Sequence, residues 1–301
     1  MVKPIETIGN PVSWALDAVA GSSRHVRHAV HEVGGDHLSP PEVARLDFDD
    51  LRIALRKGAE DFAALRTDVI FIVILYPVMG LVLSTFAFQR DLLPLVFPLM
   101  SGFALLGPIA AVGLYEMSRL RERGEPAGLG AALGVLGSPA IGAVLTIGLG
   151  LVFILVAWML SAYLIFAQTL GPETPVSMRA FFTDVFTTGA GWAMLVIGCG
   201  VGFVFAAATL ALTIISIPLL LDRHVGVPVA VVTSLEVSRN NPVVVATWGL
   251  IVAVLLVVGT LPLFLGLIFV FPILGHATWH LYQRAVKPVR APDAGEIGGP
   301  A

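Results

Sequence analysis

The chain has 301 residues, 56% of them apolar and only 13% charged, with a mean hydropathy of +0.88. That is too apolar for a single water-soluble core and marks a membrane protein. Eighteen basic and 21 acidic residues leave a net charge of −3, which excludes a nucleic-acid binder driven by bulk charge, and the lone Cys199 excludes an internal disulfide.

Residues 1–43 read as a mostly flexible cytoplasmic segment. Its apolar piece "PVSWALDAVAG" is interrupted by Asp17 and too short to span, so neither a signal peptide nor a lipid anchor is expected. The stretch "RHVRHAVHEVGGDH" carries His25, His28, His31 and His37. Steps of three residues drift around a helix, so the first three histidines spread over about 120°. Val26, Val30 and Val33 make a tighter stripe, which points to a surface helix and not to a metal site.

Residues 44–286 read as an all-α polytopic bundle. A spanning helix needs about 20 mostly apolar residues, because each of its amides must be satisfied internally. Six segments qualify, at about 69–88, 92–116, 141–167, 192–221, 243–261 and 263–282, with a sharp turn expected at Gly259–Pro262. Before the odd-numbered spans lie "FDDLRIALRKGAEDFAALR", "PAGLGAALGVLGSP" and "VPVAVVTSLEVSRNNP". Each is expected to lie flat in the interface as an amphipathic helix, the first capped by Asp49 or Asp50 with Leu51, Leu55, Phe62 and Leu65 on one face. Between the third and fourth spans Ser177 can cap a short helix bearing Phe181, Phe182 and Val185. Residues 287–301 read as a disordered cytoplasmic tail.

Basic loops resist translocation. With six spans, sixteen Lys and Arg fall on the side of the termini and only Arg90 and Arg179 on the other, so both termini are expected in the cytoplasm.

Few residues could do chemistry. Five of the six spans have no ionisable side chain in their middle, which argues against a proton-coupled pump. His276 and His280, four apart in "GHATWHLYQR", share a helix face as metal or haem ligands would. With Trp279 and Tyr282 beside them, at the end of the last span, the favoured reading is interfacial anchoring or hydrogen bonding between helices. Pro108, Pro218 and Pro272 are candidate kinks around a cavity, and Gly198 and Gly202 a candidate helix-packing pair. No catalytic residue, metal or cofactor is expected.

The runs "YPVMGLVLSTFAF…LPLVFPLMSGFALLGPIAAVGLYEMSR", "NPVVVATWGL" and "LGHATWHLYQRAV" resemble a bacterial family of predicted integral membrane proteins catalogued as domain of unknown function 2189. The resemblance covers about Phe48 to Val286, with "GHATWHLY" as its most specific piece. It implies a multi-pass protein of the inner membrane of a Gram-negative, alphaproteobacterial cell, and it supplies no activity to carry over.

Together these features lead to a non-enzymatic membrane scaffold or accessory subunit. Its expected partners are the lipid bilayer and another membrane protein or a further copy of itself. The alternatives are a transporter or channel for an apolar or weakly polar solute, using a cavity near the three prolines, and haem or metal handling through His276 and His280.

Overall fold

The computed structural model describes residues 40–73, 78, 81, 85, 90–171, 175–223 and 225–288. The expected first span, the four N-terminal histidines and most of the tail therefore lie outside the described residues, apart from 69–73, 78, 81 and 85 of that span and residues 287 and 288. Among the described residues every regular element is a helix, and the one β-bridge joins Val43 to Val286.

Helix α1 runs from Phe48 to Val73. Asp47 caps it, accepting the amide of Asp50, while the Asp50 carboxylate accepts the amide of Asp47, each at 2.9 Å. This is a capping box that starts two residues before Asp49, the first of the expected caps. α1 runs without a break into the stretch expected as the first span, because nothing between Ala64 and Val69 interrupts helical hydrogen bonding. Leu51, Ala54, Gly58 and Asp61, spaced alternately three and four apart, form its buried seam. That seam is covered by the last helix and not by lipid.

The expected second span is a broken rod. A 3₁₀ turn over Arg90–Leu95 leads into α2 (Val96–Leu105), α3 (Gly107–Ala110) and α4 (Val112–Glu122). Pro108 has no amide to donate and its ring crowds the carbonyl four residues back, so the chain leaves regular geometry at Leu106, and a second break falls at Ala111. A short α5 (Leu129–Gly134) then precedes the long α6 (Ile141–Thr169). Ser177 accepts the amide of Ala180 and starts α7 (Met178–Thr187), and Thr188 accepts the amide of Gly191 to start α8 (Gly189–Thr213). Pro218 lies in the first turn of α9 (Ser216–Asp222), so α8 and α9 are offset at Ile214–Ile215. The interfacial stretch of residues 227–242 forms α10 (Val227–Asn240), followed by α11 (Pro242–Thr260) and α12 (Leu267–Ala285). The last turn falls later than expected, with Leu263 and Phe264 in the left-handed region. Gly259 and Gly266 close it, since a Cβ on Gly266 would lie 2.7 Å from the Cα of Gly259.

Among the described residues three helical stretches are long and apolar enough to cross a membrane: Ile141–Thr169, Gly189–Asp222 and Pro242–Thr260. The main core lies at one end of the bundle, where α1, α4, α9, α10 and α12 meet. At the opposite end Phe166, Phe181, Val185 and Leu93 form a small apolar cluster joining α6, α7 and the 3₁₀ turn. The two ends of the described chain meet at the first of these, where the amide of Ala44 donates to the carbonyl of Ala285 and that of Lys287 to Glu42.

The α1–α12 crossing is tight at Gly58, where a Cβ would stand 2.6 Å from the amide nitrogen of Ala277 and 2.7 Å from the carbonyl oxygen of Ile273. Backbone cannot yield as a side chain can. Gly58→Ala is therefore expected to destabilise the protein by about 1–3 kcal/mol despite its better helix propensity, read as a lower midpoint of thermal unfolding in detergent. Gly130→Ala on α5, with nothing within 4 Å, should be neutral or slightly stabilising. Equal midpoints for the two variants would contradict so close a crossing.

Candidate functional site

The polar chemistry of the bundle converges on Asp61. Its place on the buried seam of α1 carries the carboxylate into the junction of α1, α4 and α12, where the residue is 5% exposed. Ser118 of α4 donates its hydroxyl to Asp61 Oδ2 at 2.5 Å, and His280 Nε2 of α12 lies 2.8 Å from the same oxygen. Arg121, one turn beyond Ser118, donates to Oδ1. His276, one turn before His280, places Nδ1 2.8 Å from the Ser118 oxygen.

Counting protons fixes the tautomers. An ionised carboxylate only accepts, so His280 carries its proton on Nε2. Ser118 gives its single proton to Asp61, so its oxygen must accept from His276, which carries its proton on Nδ1. The remaining ring nitrogens, His276 Nε2 and His280 Nδ1, are buried and have no hydrogen-bond partner. Burial pushes the Asp61 carboxyl upward, but the hydrogen bonds from His280 and Ser118, with the positive potential of the imidazoles, outweigh it and hold the group below its ordinary 3.8.

The neighbouring aromatic residues are tied in the same way. Trp279 Nε1 donates to Glu122 Oε2 at 3.0 Å and Tyr282 donates its hydroxyl to Asp222 Oδ2 at 2.7 Å, and both rings are 1% exposed. They do not form a belt facing headgroups: the amphipathic end of α12 is enclosed by α1, α4 and α9, and its polar tips are met by carboxylates at the ends of α4 and α9. Asn241 accepts the amide of Leu46 and donates to the carbonyl of Ala44, and Arg284 pairs with Asp50, so the two ends of the described chain are fastened around the same junction.

The other sequence-derived residues lie apart from this centre. Pro218 and Pro272 are buried and Pro108 is half-buried, each at or within a helix bend or core. Gly202 packs on Trp158, whose ring would lie 3.0 Å from an added Cβ, whereas Gly198 faces open space. Gly198 lines a groove of about 210 Å³ with Phe97, Ser101, Trp158 and Phe203, and a second, shallow surface of about 390 Å³ lies along Val243, Thr247 and Leu250 of α11. Neither includes the three prolines. Among the described residues no three His, Cys, Asp or Glu side chains are grouped to hold a metal ion.

Long apolar helices with most of their charged groups gathered and paired at one end define an integral membrane protein. Residues 96–222 match the family described as predicted integral membrane protein (DUF2189), the family that the sequence resembles. The match is narrower than Phe48–Val286: it takes in Ser118 and Arg121 but neither Asp61 nor the "GHATWHLY" ending. No curated protein and no solved structure matches the chain.

Sequence reasoning found the histidines and missed Asp61, Ser118 and Arg121. The available signal was the spacing 51, 54, 58, 61, which puts a carboxylate on an otherwise apolar seam.

Removing one partner of a buried charged network leaves the others unpaired. Asp61→Asn is expected to cost about 3–5 kcal/mol, and Ser118→Ala, which cuts the link to His276, about 1–3 kcal/mol, both measurable by thermal unfolding in detergent. Because the folded-state value of Asp61 is depressed, its contribution is present at pH values above 3.8 and is lost as pH falls through the lower folded-state value. Through the titration of Asp61 itself, the gap between wild type and Asp61→Asn should therefore narrow in strongly acidic solution. Equal stability at neutral pH would remove Asp61 from the centre of the fold.

Proposed function

We propose that the protein is a non-enzymatic scaffold or accessory subunit of the bacterial inner membrane, crossing it six times with both termini in the cytoplasm. The observation that carries this reading is the use of the polar site. Asp61, Ser118, Arg121, Trp279 and Tyr282 all direct their polar atoms to another helix, and His276 and His280 direct one nitrogen each. Residues that bond only to one another hold a fold together, whereas a catalytic or transport site keeps groups aimed into a space that a substrate can enter.

Two further features support it. The described grooves are walled by apolar side chains and lie away from Pro108, Pro218 and Pro272, which weighs against a solute path there. Only 22% of the most apolar window of α11 and 33% of that of α6 are buried, leaving long faces for lipid and for a neighbouring membrane helix. The meeting of the chain ends, with Arg121, Arg123, Arg223 and Arg284 on the same end of the bundle, fits a cytoplasmic side for both termini.

Chemical cross-linking in native membranes, followed by purification in mild detergent, tests this role. The expected product is a discrete complex containing either a second membrane protein or a further copy of this chain. A solitary monomer before and after solubilisation would overturn the reading. For the topology, reporters fused after Lys287 and within residues 172–176 should be active on opposite sides of the membrane, the first in the cytoplasm.

A further inference from the structure

Among the described residues five buried side-chain atoms have no hydrogen-bond partner, and His276 Nε2 and His280 Nδ1 are the two nitrogens. Buried polar groups are nearly always paired, and an unpaired one costs about 1–3 kcal/mol. Here two occur on one helix face, one turn apart, in side chains 0% and 6% exposed, and both are basic nitrogens able to take a proton.

The surrounding charges decide what a proton would do. Facing the imidazoles are Asp61 from α1 and Arg121 from α4, while α11, which also packs on α12, has no charged residue. Farther along α12, Asp50 of α1 is taken by Arg284, Glu122 of α4 by Trp279, and Asp222 of α9 by Tyr282, Arg123 and Arg223. Among the described residues Asp61 is thus the one carboxylate bonded to the two-histidine group.

At neutral pH that carboxylate balances Arg121. A proton on His280 Nδ1 leaves the Nε2 bond to Asp61 intact but creates a buried N–H with no acceptor. A second, on His276 Nε2, creates another and brings three cations around one anion. Asp61, held below its ordinary value, stays ionised through this range and cannot relieve the excess by neutralising itself. Relief comes from letting water reach the rings. Arg121, 40% exposed, puts the cluster one side chain from solvent, so protons can enter at this end of the bundle.

We infer that the Asp61–Ser118–His276–His280 cluster is a pH-sensitive latch, which clamps α1 to α4 and α12 at neutral pH and releases it when the imidazoles become protonated. α1 is the element the cluster releases, because Asp61 is its contribution to the cluster and its outer face, with Arg52, Arg56 and Glu60, is exposed. The inference stands on the junction alone and does not depend on the scaffold role.

Hydrogen exchange of the full-length protein in lipid nanodiscs, at about pH 7.5 and about pH 5.5 and corrected for the intrinsic pH dependence of exchange, tests it. In wild type, amides of residues 51–65 should lose protection by about tenfold or more at the lower pH, while those of α6 keep theirs. In a His276→Gln, His280→Gln variant the protection of residues 51–65 should be the same at both values. Unchanged protection of α1 in wild type would overturn the latch, as would an equal loss in α6, which signals general acid unfolding. Should the double variant not fold, the wild-type contrast between α1 and α6 still decides, and His280→Gln alone should at least halve the loss if the latch is right.

Discussion

A single carboxylate organises this protein. The seam of α1 would pack on almost any apolar surface, and an amphipathic helix of that kind can lie on a bilayer as readily as against another helix. Asp61 removes the choice. An ionised carboxylate taken from water pays a large desolvation cost that only close donors repay, and three of them, from Ser118, Arg121 and His280, exist at one height on α4 and α12. Sliding α1 by one turn would strand the anion, so the network sets both the partner and the register of the helix. Gly58, one turn before Asp61, lets the backbones come close enough for these short side chains to meet.

The rest of the architecture follows from gathering polar groups at this end. Val43 bridges to Val286, Asn241 holds the backbone at Ala44 and Leu46, and Lys287 pairs with Glu42, so segments distant in sequence are tied by directed bonds. Away from the junction the helices hold together by packing and a few hydrogen bonds, as where Trp158 packs on Gly202 and Gly102 and donates its indole proton to the Pro98 carbonyl. Between helices in lipid, packing and a few hydrogen bonds replace the hydrophobic effect as the cohesive force. The rigid polar end and the apolar shafts are thus held by different physics.

How much of this was legible depended on whether a signal is local. The long apolar stretches, the Ser177 cap and the bends near Pro108 and Pro218 all follow from propensities acting within one turn, and the helices at 141–169, 189–222 and 242–260 stand close to where composition put them. The fate of α1 was not local. Its periodicity reads the same whether lipid or α12 covers the seam, and the difference lies in residues more than two hundred positions away. The histidines show this most clearly: four-residue spacing says that His276 and His280 share a face, but not that α1 and α4 would cover it. Trp279 and Tyr282 have the composition of a membrane belt and the burial of a core, because Glu122 and Asp222 arrive from other helices to meet their polar tips.

The polar junction is also more than stability requires. An apolar cluster of the same volume would hold three helices as well as a buried ion network does, and often better, since nothing has to be desolvated. What apolar side chains cannot do is distinguish one register from another or respond to a change in charge. Asp61, Ser118 and Arg121 account for the first of these capacities, since their bonds form in one alignment only. His280 adds its bond to Asp61 to that alignment, and each histidine leaves its other nitrogen buried and bare, as the oxygen of a glutamine or asparagine amide donating in the same place would be. Imidazole differs from those amides in accepting a proton near neutral pH, and that is the property a purely structural account of His276 and His280 leaves unused.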